Sequence, residues 1–103
     1  MGMALLIDVL TNWGKHELDD AIYLPSGKEP SLDLMVSVLP FDPARKRIFE
    51  DQEYFLGIEQ IRDVIDGLEA QLGRAAMPLE RLRAAIHYAR HDAFIDPQKA
   101  VGG

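Results

Sequence analysis

Residues 57–73 read GIEQIRDVIDGLEAQLG, and this stretch decides the fold because it holds the strongest regular pattern in the chain. Its aliphatic side chains recur three, four, three and four positions apart, which places them along one face of an α-helix. They are Ile58, Ile61, Ile65, Leu68 and Leu72. Gly57 and Gly73 stand where an N-cap and a left-handed C-cap are expected. The stretch therefore predicts a helix over 58–72.

A second helix is predicted just after it, beginning at Pro78, because proline suits the first helical position. Glu80 complements the positive end of the helix dipole, and Arg90 and His91 complement the negative end. An apolar face recurs along this segment, made by Leu79, Leu82, Ala85, Ile86 and Ala89. Four to five residues join the two helices, so an antiparallel pair is expected.

Strand patterns precede these helices. Residues 21–24 form a short aliphatic and aromatic run, and residues 32–39 alternate with period two, as in a half-buried strand. The two runs are expected to pair as a hairpin, and residues 54–56 are expected to add a third strand. At the start of the chain, the spacing predicts a helix over 3–13 that ends in a left-handed Gly14.

This order of elements predicts an α+β domain. We expect a small antiparallel sheet of two to three strands, packed against an N-terminal helix and a C-terminal antiparallel helix pair. A single domain is expected over 1–97, followed by a flexible tail over 98–103. The predicted core consists of Leu5, Leu6, Val9, Leu10, Trp13, Ile22, Leu24, Leu34, Val36, Ile61, Ile65, Leu68, Leu82, Ile86 and Phe94.

Composition and charge limit the classes of function. The chain has 103 residues, no cysteine and a net charge of −6, so disulfides and cysteine zinc sites are excluded. No stretch approaches the ~20 apolar residues of a membrane span, and a cytoplasmic location is predicted. Residues 1–44 hold two basic and seven acidic residues, a net charge of −5. Such a surface repels nucleic acid and favours a basic protein partner.

Glu17, Asp19 and Asp20 lie within four positions of one another and are the candidate protein-binding residues. Adjacent acids in a loop are usually solvated, so we interpret them as an acidic contact surface or as a solubility feature, and not as catalytic groups.

His87 and His91 are four positions apart on the predicted second helix, and Asp92 follows them. This spacing puts both imidazoles on one face, which makes half of a metal site. The general-base glutamate of the metalloprotease motif is missing between them, and no third ligand can be assigned. The three residues are the alternative candidate site. No cofactor motif is present, and no cofactor is predicted.

Several segments together resemble a bacterial family of short, acidic proteins of unknown function. The segments are Trp13, Ala21-Ile22-Tyr23-Leu24-Pro25, the helix from Leu56 to Leu72, Ile86-His87-Tyr88 and Asp92-Ala93-Phe94-Ile95. The closing Asp-Ala-Phe-Ile is the most specific of them. This chain departs from the family by His91, where asparagine is more usual, and by the basic triplet 45–47. Some relatives look like immunity proteins, which are small acidic partners encoded beside toxins.

Two functions stay open at this point. The favoured interpretation is a non-catalytic protein-binding module, immunity-like by resemblance, with a basic protein as partner and a monomeric or homodimeric state. The alternative is a small enzyme or metal-dependent protein that uses His87, His91 and Asp92.

Overall fold

The predicted central helix is present as α2 (Ile58–Leu72) in the computed structural model, which describes residues 2–46 and 48–101. Gln60 Oε1 accepts the Gly57 N–H at 2.9 Å, so the first turn is capped by its own glutamine. Gly73 ends the helix with a left-handed φ of 72°, which confirms its role as C-cap. The buried face consists of Ile58, Ile61, Val64, Ile65 and Leu68.

The second predicted helix is also confirmed, as α3 (Pro78–His91), with proline at its first turn. Asp92 follows it in a left-handed conformation, with φ of 53°, and its N–H donates to the Tyr88 carbonyl at 2.8 Å. Asp92 is therefore the residue that ends α3. Leu82, Ala84 and Ala85 are buried.

An ion pair holds the loop between α2 and α3. Both Nη atoms of Arg74 donate to the Glu80 carboxylate, at 2.8 and 2.7 Å, and Glu80 also accepts the Met77 N–H at 2.7 Å. The hydrogen bonds from Arg74 and then from Met77 lower the pKa of the Glu80 carboxyl from 4.5 to about 2. The same pair raises the pKa of the Arg74 guanidinium.

Glu80→Gln tests this ion pair through pH. Because the pKa of Glu80 falls on folding, its ionised form stabilises the fold fully above pH 4.5 and loses this effect as pH falls through about 2. We expect the variant to unfold at a lower urea concentration than the wild type at neutral pH. The gap between the two midpoints should shrink as pH falls from 4.5 toward 2. Glutamine can still accept the Met77 N–H, so a gap that does not change with pH would contradict a role for the charge.

The sheet has five strands, so the prediction of two to three strands is wrong. They are β1 (Gly2–Leu5), β2 (Asp20–Pro25), β3 (Met35–Pro40), β4 (Ile48–Phe49) and β5 (Gln52–Gly57). All pairings are antiparallel, in the order β1-β3-β2-β5-β4. The predicted hairpin of β2 with β3 and the predicted third strand, β5, are confirmed. A bulge between β2 and β5 shifts the register at Ile22 and Tyr23.

The predicted helix over 3–13 is confirmed only over 6–11, and its first turn is wrong. Residues 2–5 form β1 and pair with β3, from Gly2 opposite Val38 to Leu5 opposite Met35. The helix itself, α1 (Leu6–Thr11), is six residues long, and a turn of 3₁₀ helix follows at Trp13–Lys15. Gly14 lies in that turn and does not adopt positive φ. The start of the chain gains ladder hydrogen bonds with β3, which a helix without an N-cap cannot match.

The helices pack on one face of the sheet in an arrangement different from the predicted one. The prediction was an N-terminal helix and a C-terminal helix pair, whereas in the structure α3 contacts both α1 and α2. The main core cluster joins this layer to the sheet through Leu6, Val9, Leu10, Ile22, Leu24, Val36, Val38, Phe55, Leu56, Ile58, Ile61, Ile65, Leu82 and Ala85. Trp13, Leu34 and Ile86 are partly buried against it. Two predicted core residues, Leu5 and Phe94, are exposed instead.

The reasons for these two differences are local. Leu5 is paired beside Met35, and both side chains lie on the sheet face away from the helices, where Met35 is also exposed. Phe94 comes just after the left-handed Asp92 and rests against Tyr88, with ring centroids 5.6 Å apart.

The C-terminal segment adds a short helix, α4 (Pro97–Ala100), which contacts α2 and α3. Ala100 is buried, and its carbonyl accepts a hydrogen bond from Arg83 Nη1 at 3.1 Å. Part of the segment predicted as a tail, 98–103, thus packs on the domain, while its last two residues lie outside the described part of the chain. No helix within residues 2–46 and 48–101 has the length and apolarity needed to cross a bilayer.

Candidate functional site

The three acidic residues singled out in the sequence lie in one turn that leads into β2. The Asp20 N–H donates to the Glu17 carbonyl at 3.0 Å, and the Asp20 carboxylate accepts the Glu17 N–H at 3.2 Å. The Asp19 carbonyl accepts the Phe41 N–H at 2.9 Å. This last bond joins the acidic turn to the residue that follows β3, so the backbone of Phe41 is held beside the acids.

A depression of about 300 Å³ opens at this junction. It is lined by Leu18, Asp19, Asp20, Phe41, Tyr54, Gly57, Glu59 and Gln60. Leu18 is 44% exposed and Phe41 is 53% exposed, although both are large apolar side chains. The structure therefore brings Asp19 and Asp20 together with exposed apolar groups, while Glu17 lies in the same turn but not in the lining.

An aromatic cluster forms the floor beneath Phe41 on the helix-free face of the sheet. The Phe41 ring lies 6.0 Å from that of Tyr54, Tyr54 lies 5.8 Å from Tyr23, and Tyr23 lies 5.1 Å from Phe49. All three contacts are edge-to-face, the arrangement that aromatic quadrupoles favour. The Tyr54 hydroxyl donates to Gln60 Oε1 at 2.9 Å, which ties the floor to the first turn of α2. The Phe41 ring thus packs on a connected set of aromatic rings.

Basic side chains lie on the other side of Phe41 and Tyr54. A second cavity of about 240 Å³ is lined by Tyr23, Phe41, Arg45, Lys46 and Tyr54. Arg45 Nη1 donates to the Pro40 carbonyl at 3.0 Å and to the Tyr23 hydroxyl at 3.3 Å, and its guanidinium lies 4.8 Å from the Phe49 ring centroid. Two members of the basic triplet are thus placed here, and Arg47 lies outside the described residues.

Sequence reasoning missed Leu18, Phe41, Tyr54 and Glu59 as site residues. Phe41 stands between Pro40 and Pro43, a pattern that indicates a loop after the strand and not a binding residue. Tyr54 was interpreted as a strand residue, which it is, but the other aromatic rings reach it only after folding. A phenylalanine between two prolines is the one signal that could have pointed to an exposed aromatic side chain.

The alternative site is only partly assembled. The imidazoles of His87 and His91 lie 4.5 Å apart, centroid to centroid, on α3. Asp92 serves as the left-handed cap of that helix. Within the part of the chain that the structure describes, no group of three or more His, Cys, Asp or Glu side chains is placed to hold a metal ion. A metal-dependent role stays a prediction without structural support.

Comparison with known proteins gives a family and no activity. No curated protein and no solved structure matches the chain. The family model that matches covers residues 3–97, nearly the whole chain, and describes a domain of unknown function, DUF7716. This agrees with the resemblance to a family of unknown function. The chain therefore belongs to the DUF7716 family.

Proposed function

We propose that this protein is a non-catalytic protein-binding module, and that its partner docks on an acidic–aromatic surface. We define this surface as Leu18, Asp19, Asp20, Phe41, Tyr54 and Glu59. The observation that carries the proposal is the shared depression, in which two exposed apolar side chains meet three carboxylates.

The arrangement has the anatomy of a protein interface. Affinity in such interfaces is concentrated in a few aromatic or large apolar side chains near the centre, and polar groups surround them. Phe41 supplies a central aromatic anchor, and Leu18 extends it. The edge-to-face support from Tyr54 keeps the Phe41 ring in place, so little conformational entropy is lost on binding.

Charge indicates the chemistry of the partner. Asp19, Asp20 and Glu59 surround the depression, and residues 1–44 carry a net charge of −5. A basic surface with an apolar side chain at its centre would match both features. An acidic wall is a poor match for the phosphate backbone of nucleic acid. A basic toxin domain is the partner class that the resemblance to immunity proteins implies, and the proposal places both proteins in a bacterial cytoplasm.

The test is affinity capture from extracts of the source cells, with proteins quantified by mass spectrometry. The variants are Asp19→Lys/Asp20→Lys and Phe41→Ala, and the matched control is Asp33→Lys/Asp66→Lys, which changes the net charge equally at exposed positions away from the depression. We expect a partner recovered by wild type and control but reduced at least about tenfold in both site variants, as for an interface hot spot.

Salt provides the second arm of this test. Recovery should fall at high ionic strength, because the Debye length is already about 8 Å at 0.15 M salt. Asp19→Lys alone should leave folding stability within about 0.5 kcal/mol, since Asp19 is exposed. Asp20→Lys also removes the acceptor of the Glu17 N–H, so the double variant should lose about 1 kcal/mol and still fold. Recovery of the same proteins by all four versions at both salt concentrations would contradict the proposal.

A further inference from the structure

The two edges of the sheet are built differently. The edge strand β4 has two residues and leads into a turn made by Glu50 and Asp51, both with positive φ. A very short, charged edge of this kind resists pairing with other chains. The opposite edge, β1, has four residues, Gly-Met-Ala-Leu, with no charge and no proline. The strand β1 therefore lacks the charged residues and prolines that commonly protect an edge strand.

The ladder shows which groups β1 presents outward. The Leu6 N–H donates to the Leu34 carbonyl at 2.9 Å, and this pair continues the register of β1 with β3. In an antiparallel ladder, hydrogen-bonded pairs alternate with pairs that are not hydrogen-bonded. Ala4 is two positions before Leu6, so its N–H and C=O groups also point toward β3. The N–H and C=O groups of Met3 and Leu5 then point away from the sheet. Across the described residues, 2–46 and 48–101, β1 pairs with β3 alone.

An apolar strip accompanies this open edge. Met3 is 65% exposed, Met35 44% and Leu5 36%. By strand alternation all three side chains lie on the sheet face opposite the helices, because Ala4, between two of them, packs against the helix-side core. An uncovered edge and an uncovered apolar strip thus coincide at one place.

We propose that a second copy of this chain covers the edge, by antiparallel pairing of the two β1 strands. With the two-fold axis at Ala4, Met3 of each copy faces Leu5 of the other. These are the residues whose backbone groups point outward, so each pair exchanges two main-chain hydrogen bonds. The result is a continuous sheet of ten strands, in which the two apolar strips meet.

The register favours a second copy as the occupant, because the outward-facing Met3 and Leu5 pair with each other across a two-fold axis. A basic partner is drawn to the acidic–aromatic surface, whereas the segment Gly2–Leu5 carries no charge in a chain of net charge −6. Two copies can therefore approach at this edge without placing like charges directly opposite each other. The inference is independent of the proposed function, because it uses the other edge of the sheet.

Sedimentation velocity of the full chain over a wide concentration range tests the proposal. The contact is small, so we expect a reversible dimer with a dissociation constant on the order of 10–100 µM. Met3→Lys should raise that constant at least about tenfold, because it places two charges in the strip. Leu5→Pro should do the same, since it removes an outward donor at a residue whose φ of −70° already suits proline. Ile48→Lys, at the β4 edge, is the control that should still dimerise.

Amide exchange by NMR supplies a readout within the wild type. The N–H groups of Met3 and Leu5 should become protected as concentration rises, while that of Ala4, already bonded to β3, should not change. If Leu5→Pro does not fold, Met3→Lys and the amide data decide. A wild type that keeps the 11.6 kDa monomer mass at every concentration would overturn the proposal. A dimer that survives Met3→Lys with no protection of Met3 and Leu5 would also overturn it.

Discussion

Ile65→Ala is expected to lower the free energy of unfolding by about 2–5 kcal/mol, the largest effect of any single truncation considered for this chain. Ile65 is buried at the centre of α2. It belongs to the main core cluster, which joins the helix layer to the sheet. Removing three carbon atoms there leaves a cavity that the surrounding strands and helices cannot fill without moving. For a domain of this size the loss is a large fraction of the total stability.

Urea denaturation followed by circular dichroism measures the effect, and Leu79→Ala is the matched control. Leu79 lies on α3 and is exposed, so its truncation should change stability by no more than about 0.5 kcal/mol. Leu68→Ala should lower the free energy of unfolding by an amount at the lower end of the same range, about 2 kcal/mol. Leu68 belongs to a smaller cluster beside a surface cavity of about 160 Å³. An unchanged midpoint for Ile65→Ala would show that this face of α2 is not core.

The second large effect is expected at Arg81, which ties three parts of the helix layer together. Its Nη1 donates to the Leu10 carbonyl at the end of α1, at 2.6 Å, and its Nε donates to the Ala76 carbonyl at 3.2 Å. Its Nη2 donates to Glu69 Oε2 of α2 at 3.0 Å. Arg81→Met should destabilise the fold by about 2–3 kcal/mol, because it leaves a partly buried carboxylate and two carbonyls without this donor.

Arg90→Met is the control for Arg81→Met. Arg90 also forms an ion pair, with Glu29 at 3.2 Å, but both side chains are exposed, so its loss should cost no more than about 0.5 kcal/mol. Arg81→Lys should be more stable than Arg81→Met but less stable than the wild type, because one ammonium group cannot reproduce the several donors of the guanidinium. Equal unfolding midpoints for Arg81→Met and Arg90→Met would contradict the bridging role.

The parts of the fold that the sequence could predict are those that depend on nearby residues. The helix over 58–72 has its periodicity, its capping glutamine and its terminal glycine within one stretch. The helix from Pro78 likewise begins and ends on local signals. Such elements are specified by residues three and four positions apart, and both were located correctly.

The missed parts depend on distant residues. Residues 2–5 form a strand only because β3, thirty or more positions later, presents a free edge to them. The strand β4 turns into β5 through Glu50 and Asp51, without the glycine or asparagine that usually marks such a turn. The site combines a turn before β2 with residues 41, 54 and 59, so only Asp19 and Asp20 could be found from the sequence.

The most direct test of the acidic–aromatic surface is site-specific photo-crosslinking in the source cells. A photoreactive phenylalanine analogue at Phe41 places the reactive group at the centre of the proposed contact, and the same analogue at Leu79 reports on an exposed apolar position on α3. The proposal predicts a discrete adduct with a basic protein from position 41, none from position 79, and loss of the adduct when Asp19 and Asp20 are changed to lysine. Adducts at position 79 and none at position 41, or a position-41 adduct unaffected by the charge reversal, would contradict it.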